Sequence, residues 1–392
     1  MDGEIFQGRP VERAVVPILF LAVLTVTACS RQDKIDRIRE DGVEVVLNHR
    51  EPYKRAGRPS TFDLKRVYSI DTESEALAQA GLGSAGEYGV DARGNVTIVA
   101  FKNKRDFIYR FDPRGRLIGS FGRYGQGPGE IEWPFLDRVF DDGRIAITDR
   151  MHRYIVYDRD GNVVREFRPG ISFGYIDPLD DGRLIVHIPH YGAGTGDTYA
   201  HPVSLSLCRA DFEEIKELDH RHYPPDGGNE KLLPFFSWRV SSGHIYIANQ
   251  ERGYEILDYD LQGNLRRKIR KEYTPVRPTR EIREAFLGSA VDQPGVAHYL
   301  PDPLPPIAAI FTDDEGQLFA MSYEAGRRPG EFLWDIFDPD GVFIGRKSLE
   351  VSLWRGLNNG SRYTMIKNGL FYDYAEKESG YKELIVSAVT WR

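Results

Sequence analysis

Five histidines are spaced as if to gather on one part of the molecule. His187, His190 and His201 flank one insertion, and His220 and His222 open the next. Three imidazoles converging on an open position would make a catalytic metal site, because such sites take three protein ligands and leave the fourth place to water or substrate. Two strand residues three apart point to opposite faces, so His187 and His190 could share an ion only if Pro189 bends the chain between them. No metal and no other cofactor is assigned on that ground. No catalytic residue is assigned either, since the chain has no H-E-x-x-H, no G-x-S-x-G and no Walker loop. Gly125 to Gly129 is glycine-rich but joins two strands and lacks the Lys-Ser/Thr that would cradle a phosphate. Cys208 sits in an alternating strand, VSLSLC, and reads as a small apolar filler. What remains is contact chemistry. Trp133 and Phe135, where the glycine-rich connector reaches the next strand, could stack a ligand or pack one sheet on another. Together with His187, His190, Tyr191, His201 and Tyr223 they form the candidate binding set.

The other reactive group is Cys29. Ala14 to Ala28 is uncharged and nearly all apolar, too short for the ~20 residues of a spanning helix but long enough for a secretory signal. Arg9 and Arg13 precede it, and it ends in Val26-Thr27-Ala28-Cys29, which resembles the lipobox of bacterial lipoproteins. That resemblance implies removal of residues 1–28 and a diacylglyceryl group on Cys29, each buried methylene contributing ~0.8 kcal/mol to membrane anchoring. Residues 29–60 then form a lipidated tether, of which Ser30 to Gly42 is charged, lacks aromatics and reads as solvated. Ser30 directly after the cysteine fits outer-membrane sorting in a two-membrane bacterium.

These groups must be held by a body of strands and turns. The chain of 392 residues is 41% apolar and 12% aromatic, with 39 Gly and a net charge of -7. That is enough apolar material for a core, and the mild acidity argues against a nucleic-acid partner. Two cysteines exclude a disulfide framework and a thiolate zinc cluster. From Gly86 onward one pattern recurs: strand, Asp/Gly turn, aliphatic strand, connection, aromatic strand, second Gly turn, last strand. Its clearest copy runs from Phe135 to Phe167. Gly94, Gly143, Gly182, Gly243, Gly316 and Gly369 mark the first turns. Gly115, Gly161, Gly263 and Gly341 mark the second, with Ala210-Asp211 in that slot in the third copy. Four short strands per unit of ~40–50 residues is the arithmetic of a propeller blade. Residues 61–392 are therefore expected to form an all-β, six-bladed β-propeller of four-stranded antiparallel blades.

The last copy has three strands, and Phe62 to Ile70 is an orphan strand. This N-terminal strand is expected to become the outer strand of the last blade and close the ring, which removes an exposed edge at each terminus. With strands lettered a to d from hub to rim, the a–b and c–d turns are tight and share one face. The longer b–c and d–a connections collect on the other, among them 189–202, 221–236, 271–306 and 324–331. Binding surfaces are normally built from loops on a rigid frame, so the elaborated face is the expected working face. Pro278-Thr279 with Ile282, Ala285 and Phe286 reads as a short capped helix lying over it, and Thr72 with Glu75 as a second capping box.

Phe121-Gly122-Arg123-Tyr124-Gly125-Gln126-Gly127-Pro128-Gly129-Glu130-Ile131, followed by Trp133-Pro134, resembles the G-x-G-x-G-P-G-E-F…P connector of NHL-type six-bladed propellers. Asp149 to Ile155 resembles the D-x-x-x-x-R-I segment that follows, with Asp149 and Arg153 as an ionic clamp on the b–c connection. With the lipobox, the chain is similar to bacterial six-bladed β-propeller lipoproteins over roughly residues 60–392, most sharply in the first two blades. The resemblance implies a lipid-anchored protein of the cell envelope, in the outer membrane. Its membrane contact runs through the N-terminal lipid, and the expected function is a binding scaffold for a protein, peptide or glycan on the loop face. The alternative is a metal-dependent hydrolase or lyase, lactonase-like or NHL-lyase-like, with its site at the channel mouth.

Overall fold

A polar turn after every few apolar residues leaves the chain little to build but hairpins. The computed structural model describes residues 35–54, 59–82, 85–101, 106–149, 152–190, 202–222, 236–280, 282–283, 300–350 and 364–392. First come β1 (Asp36–Glu40), β2 (Val43–Asn48), β3 (Phe62–Asp71) and the short helix α1 (Glu75–Gln79). Blade 1 is β4 (Ala85–Val90), β5 (Val96–Ala100), β6 (Ile108–Phe111) and β7 (Leu117–Phe121). The connector holds β8 (Arg123–Tyr124) and β9 (Glu130–Ile131). Blade 2 is β10 (Pro134–Val139), β11 (Ile145–Asp149), β12 (Arg153–Tyr157) and β13 (Val163–Phe167). Blade 3 is β14 (Ile176–Pro178), β15 (Leu184–Pro189), β16 (Pro202–Cys208) and β17 (Glu214–His222).

Blade 4 follows with β18 (Phe236–Ser241), β19 (His244–Asn249), β20 (Glu255–Asp260) and β21 (Leu265–Lys271). Blade 5 is β22 (Ala309–Thr312), β23 (Leu318–Ala325), β24 (Glu331–Phe337) and β25 (Phe343–Glu350). Blade 6 is β26 (Met365–Lys367), β27 (Leu370–Glu376), β28 (Lys382–Trp391) and the N-terminal β3. The fold is the six-bladed propeller expected, and β3 closes it, in antiparallel register with β28 from Asp71 opposite Glu383 to Phe62 opposite Trp391.

Burial explains the composition of the strands. In each blade the middle strands lie between neighbouring blades: β5 and β12 are buried at every residue, whereas the outer strands β7 and β13 are largely exposed. Among the described residues, six apolar clusters form, one at each blade-to-blade interface. On the blade 5 side of the cluster shared with blade 6, Phe311 stacks on Phe319 at 4.4 Å, and Trp334 meets Phe311 edge-on at 4.9 Å. Such aromatic pairs add ~0.5–1.5 kcal/mol beyond the area they bury.

The turns carry a second device. Asp91 Oδ1 accepts the amides of Arg93 at 2.9 Å and Asn95 at 2.8 Å, and Asn95 Nδ2 returns a bond to Oδ2 at 2.7 Å. Asp112, Asp158, Asp260, Asp313 and Asp338 accept the same pair of amides in their own turns. A carboxylate that satisfies two turn amides fixes the hairpin independently of tertiary packing. In blade 3 the slot assigned to Ala210-Asp211 is filled by Phe212, at φ 70°. The ~1–2 kcal/mol cost of that conformation is offset by burying its ring against Phe167 at 5.8 Å and Phe173 at 5.1 Å.

Two expectations need correction. Asp36 to Asn48, expected within a solvated tether, is ordered on the ring, because β1 and β2 form a hairpin and β2 pairs in parallel with β21, so that the blade 4 sheet has six strands. The charges that suggested solvation are matched to the blade instead: Glu40 with Arg270 at 2.7 Å and Lys268 at 3.2 Å, and Glu44 with Arg267 at 2.8 Å. Thr72 is not a helix cap. Its hydroxyl donates to the Lys382 carbonyl at 2.6 Å, and α1 starts from Ser74 without a side-chain cap. The other cap is present: Ile282 N–H donates to Thr279 Oγ1 at 3.2 Å, with Ala285 and Phe286 outside the described residues.

Candidate functional site

The connector between blades 1 and 2 is the most fully described part of the loop face. Its glycines are demanded by close approach: a Cβ on Gly125, at φ 155°, would lie 2.2 Å from Glu130 Oε2. That carboxylate accepts the Gly127 amide at 3.0 Å, while the Gly129 amide donates to Glu166 Oε2 at 2.9 Å. Beneath the connector lies Arg153, 4% exposed. It donates to Asp149 Oδ2 at 3.0 Å, Glu166 Oε1 at 3.2 Å, the Gly127 carbonyl at 3.0 Å and the Glu130 carbonyl. The Asp149–Arg153 clamp is thus present, and it reaches across the whole connector. Asp149 Oδ1 also accepts the Trp133 amide at 2.9 Å, which fixes the backbone that carries the indole.

Trp133 is 40% exposed and Tyr124, on the same connector, 52%. Ile171 and Tyr381, in other connections of this face, are each 40% exposed. Apolar rings held outward by a rigid backbone bind with little entropy left to lose. Phe135 does the other job open to it, meeting Phe101 of blade 1 at 6.1 Å and 63°.

The histidines do not gather. The His187 ring lies parallel to Trp238 of blade 4 at 6.4 Å and edge-on to Phe236 at 6.1 Å, between two blades. His190 turns instead to Ser204, Nε2 to Oγ 2.8 Å, within blade 3. His220 Nδ1 lies 2.8 Å from Glu217 Oε1. Among the described residues no three His, Cys, Asp or Glu side chains are placed to hold a metal ion. Tyr191, His201, Tyr223 and Cys29 lie outside the described residues. Cys208 is fully buried, and burial pushes its thiol up to about 12, which removes it as a nucleophile at neutral pH.

Sequence reasoning missed the lining of the channel. A cavity of about 210 Å³ is walled by all six innermost strands, towards their turn ends. Its charged lining includes Glu87, Asp137, Arg138, Asp177, Arg239 and Asp313, with Asp141 and Lys367 at the rim. Several of these groups are already engaged. Glu87 accepts the Leu136 amide, Arg138 lies 3.1 Å from Asp180, and Lys367 bridges to Asp141 at 2.5 Å. Burial raises Asp313 to about 6 despite the two turn amides that favour its charge. The signal was available: polar residues recur on strands whose other positions are apolar, and innermost strands need one face for the channel.

No protein-family model matches the chain. One curated protein, the RING finger protein nhl-1 of Caenorhabditis elegans, is 39% identical over 66 residues, which is 16% of this chain and 7% of that protein. The chain therefore spans only a small part of the curated relative it matches, and the likeness is local. Among solved structures, a candidate exported protein of Bacteroides fragilis NCTC 9343 aligns over 88% of this chain and 99% of its own, with TM-score 0.50 and 12% identity. A DUF4221 family member from Bacteroides vulgatus ATCC 8482 aligns over 86% and 99%, with TM-score 0.47 and 12% identity. At 12% identity the likeness to the Bacteroides fragilis protein is one of fold alone.

Proposed function

We propose that this chain is an envelope-anchored lipoprotein whose propeller serves as a binding scaffold, with the partner, a protein, peptide or glycan, docking on the loop face around Trp133. The observation that carries this reading is the pairing of an outward indole with a backbone locked from below by Asp149 and Arg153. A structural tryptophan would gain by turning inward, since full burial of a large apolar side chain contributes ~1.5–3 kcal/mol. Here the ring stays 40% exposed on a backbone held by Asp149. The lipobox-like Val26-Thr27-Ala28-Cys29 supports the envelope location.

The test is quantitative capture from envelope extracts with wild type, Trp133→Ala and, as a rim control, Val164→Ala. The expected result is a partner held by wild type and by the rim variant but lost with Trp133→Ala, at equal thermal stability. Equal capture by all three overturns the reading.

The alternative reading, a hydrolase or lyase, is favoured by a different observation, the polar cavity walled by six strands. It requires a metal, and the described carboxylates do not converge to hold one. Metal content of the purified protein, with lactone hydrolysis before and after chelation, decides between the two.

A further inference from the structure

We infer that the rim of blades 4 and 5 is the side of the ring held against the lipid leaflet. The inference rests on the lipid-anchor reading of Cys29 and adds to it an orientation. A tether running to residue 60 would leave the ring free to present any side to the membrane, because ~30 extended residues reach about 100 Å. The hairpin removes most of that freedom. β2 lies in parallel register with β21 from Glu44 opposite Arg267 to Asn48 opposite Lys271. The Asn48 side chain donates to the carbonyls of Gly341 at 3.0 Å and Arg270 at 3.1 Å, and accepts the Phe343 amide at 2.8 Å. With the Glu40 and Glu44 ion pairs, these contacts bind the chain from Asp36 onward into blade 4 and against blade 5.

Cys29 lies seven residues before Asp36, so the lipid attachment point is within about 25 Å of Asp36 however the intervening chain runs. Four strands ~4.8 Å apart on either side of a channel make the ring at least about 40 Å across, so so short a leash cannot bring blades 1 and 2 to the leaflet in place of blades 4 and 5. Asp36 sits beside the start of the connection from blade 4 to blade 5, its carboxylate 3.7 Å from His49, which lies 3.5 Å from Glu272. The described part of that connection carries Arg277, with its side chain 87% exposed, and Arg283, 46% exposed, against Asp302. Ile38 on the outermost strand is 44% exposed. Exposed guanidinium groups and an exposed apolar side chain on these two blades suit a surface of lipid phosphates over acyl chains.

The test uses the full acylated chain in phospholipid vesicles that carry an acceptor dye on the headgroup. Donor dye is placed on single cysteines at Ile38→Cys and Arg277→Cys, and on the far rim at Ile118→Cys and Val164→Cys. Background labelling is low because Cys208 is buried and Cys29 is occupied by lipid. The expected result is energy transfer about twofold or more stronger at positions 38 and 277, as a ~25 Å leash requires. An insert of about 30 Gly/Ser residues between Cys29 and Asp36 should abolish the difference. Equal or reversed transfer in acylated protein overturns the orientation alone. An intact mass without acylation at Cys29 overturns the anchor reading, and the orientation with it.

Discussion

Phe62 and Trp391, almost the whole chain apart in sequence, face each other on the last rung of the β3–β28 ladder, their rings 5.0 Å apart at 62°. The contact is continuous with blade 5, where Phe319 lies 6.0 Å from Phe62 edge-on and Lys347 Nζ sits 5.1 Å over the Phe62 ring. One residue near the N-terminus therefore joins the last strand of the ring to the preceding blade. Phe62→Ala should cost about 3–5 kcal/mol in chemical denaturation, because the fully buried ring leaves a cavity its neighbours cannot fill. Removal of residues up to Ile70 should destabilise the whole ring. Unchanged thermal unfolding of that truncation would contradict the closure.

Arg153 holds the connector by four acceptors at once, two of them carbonyls. Arg153→Ala leaves Asp149 and those carbonyls without their cation, and breaking a buried pair from one side typically costs about 3–5 kcal/mol. Arg153→Lys should recover only part of the loss, since a point ammonium lacks the planar fork. Urea unfolding measures the cost, and limited proteolysis at Gly125 to Gly129 should accelerate in both variants.

Much of this was legible in the chain itself. The glycine turns, the orphan strand and the Asp149–Arg153 spacing pointed to six blades, to the closure and to the clamp, because period-two strands and positive-φ turns leave local marks. The hairpin at Asp36–Asn48 was not legible, because its charged residues look solvated until Arg267, Lys268 and Arg270 are brought opposite them. The histidines misled for a related reason. Nearness in sequence places His187 and His190 on one strand end, but stacking on Trp238 and the bond to Ser204 draw them to different neighbours.

Asp313 should give stability a measurable pH slope. Its folded value of about 6 lies above the ordinary 3.8, so the folded protein binds the proton more tightly than the unfolded chain. Stability is therefore favoured below that ordinary value and falls as pH rises through about 6, by an amount of the order of 2–3 kcal/mol at pH 7. Asp313→Asn keeps an acceptor for the turn amides and cannot ionise. Urea midpoints between pH 4 and 7 should fall for wild type relative to this variant, and parallel curves would refute the assignment.

Asp335 is fully buried between Lys271 at 3.3 Å and Arg346 at 2.7 Å, and also accepts the Tyr254 hydroxyl at 2.5 Å. Asp335→Leu leaves two cations facing one another and should cost about 3–5 kcal/mol. The double variant Asp335→Leu/Lys271→Met should recover part of that loss, since it removes one of the two cations while Arg346 keeps Glu324 at 3.0 Å. Additive losses in denaturation would show that the two side chains do not act as a pair.

The loop-face claim is tested most directly by site-specific photo-cross-linking in intact cells. A photoreactive residue is placed in turn at Tyr124, Ile171 and Tyr381 on the loop face, with Trp133 kept, and at Arg93, Asp142 and Glu315 in the tight turns. One shared, saturable adduct is expected from the loop-face positions and none from the turns. An adduct formed only from the turn positions would contradict it.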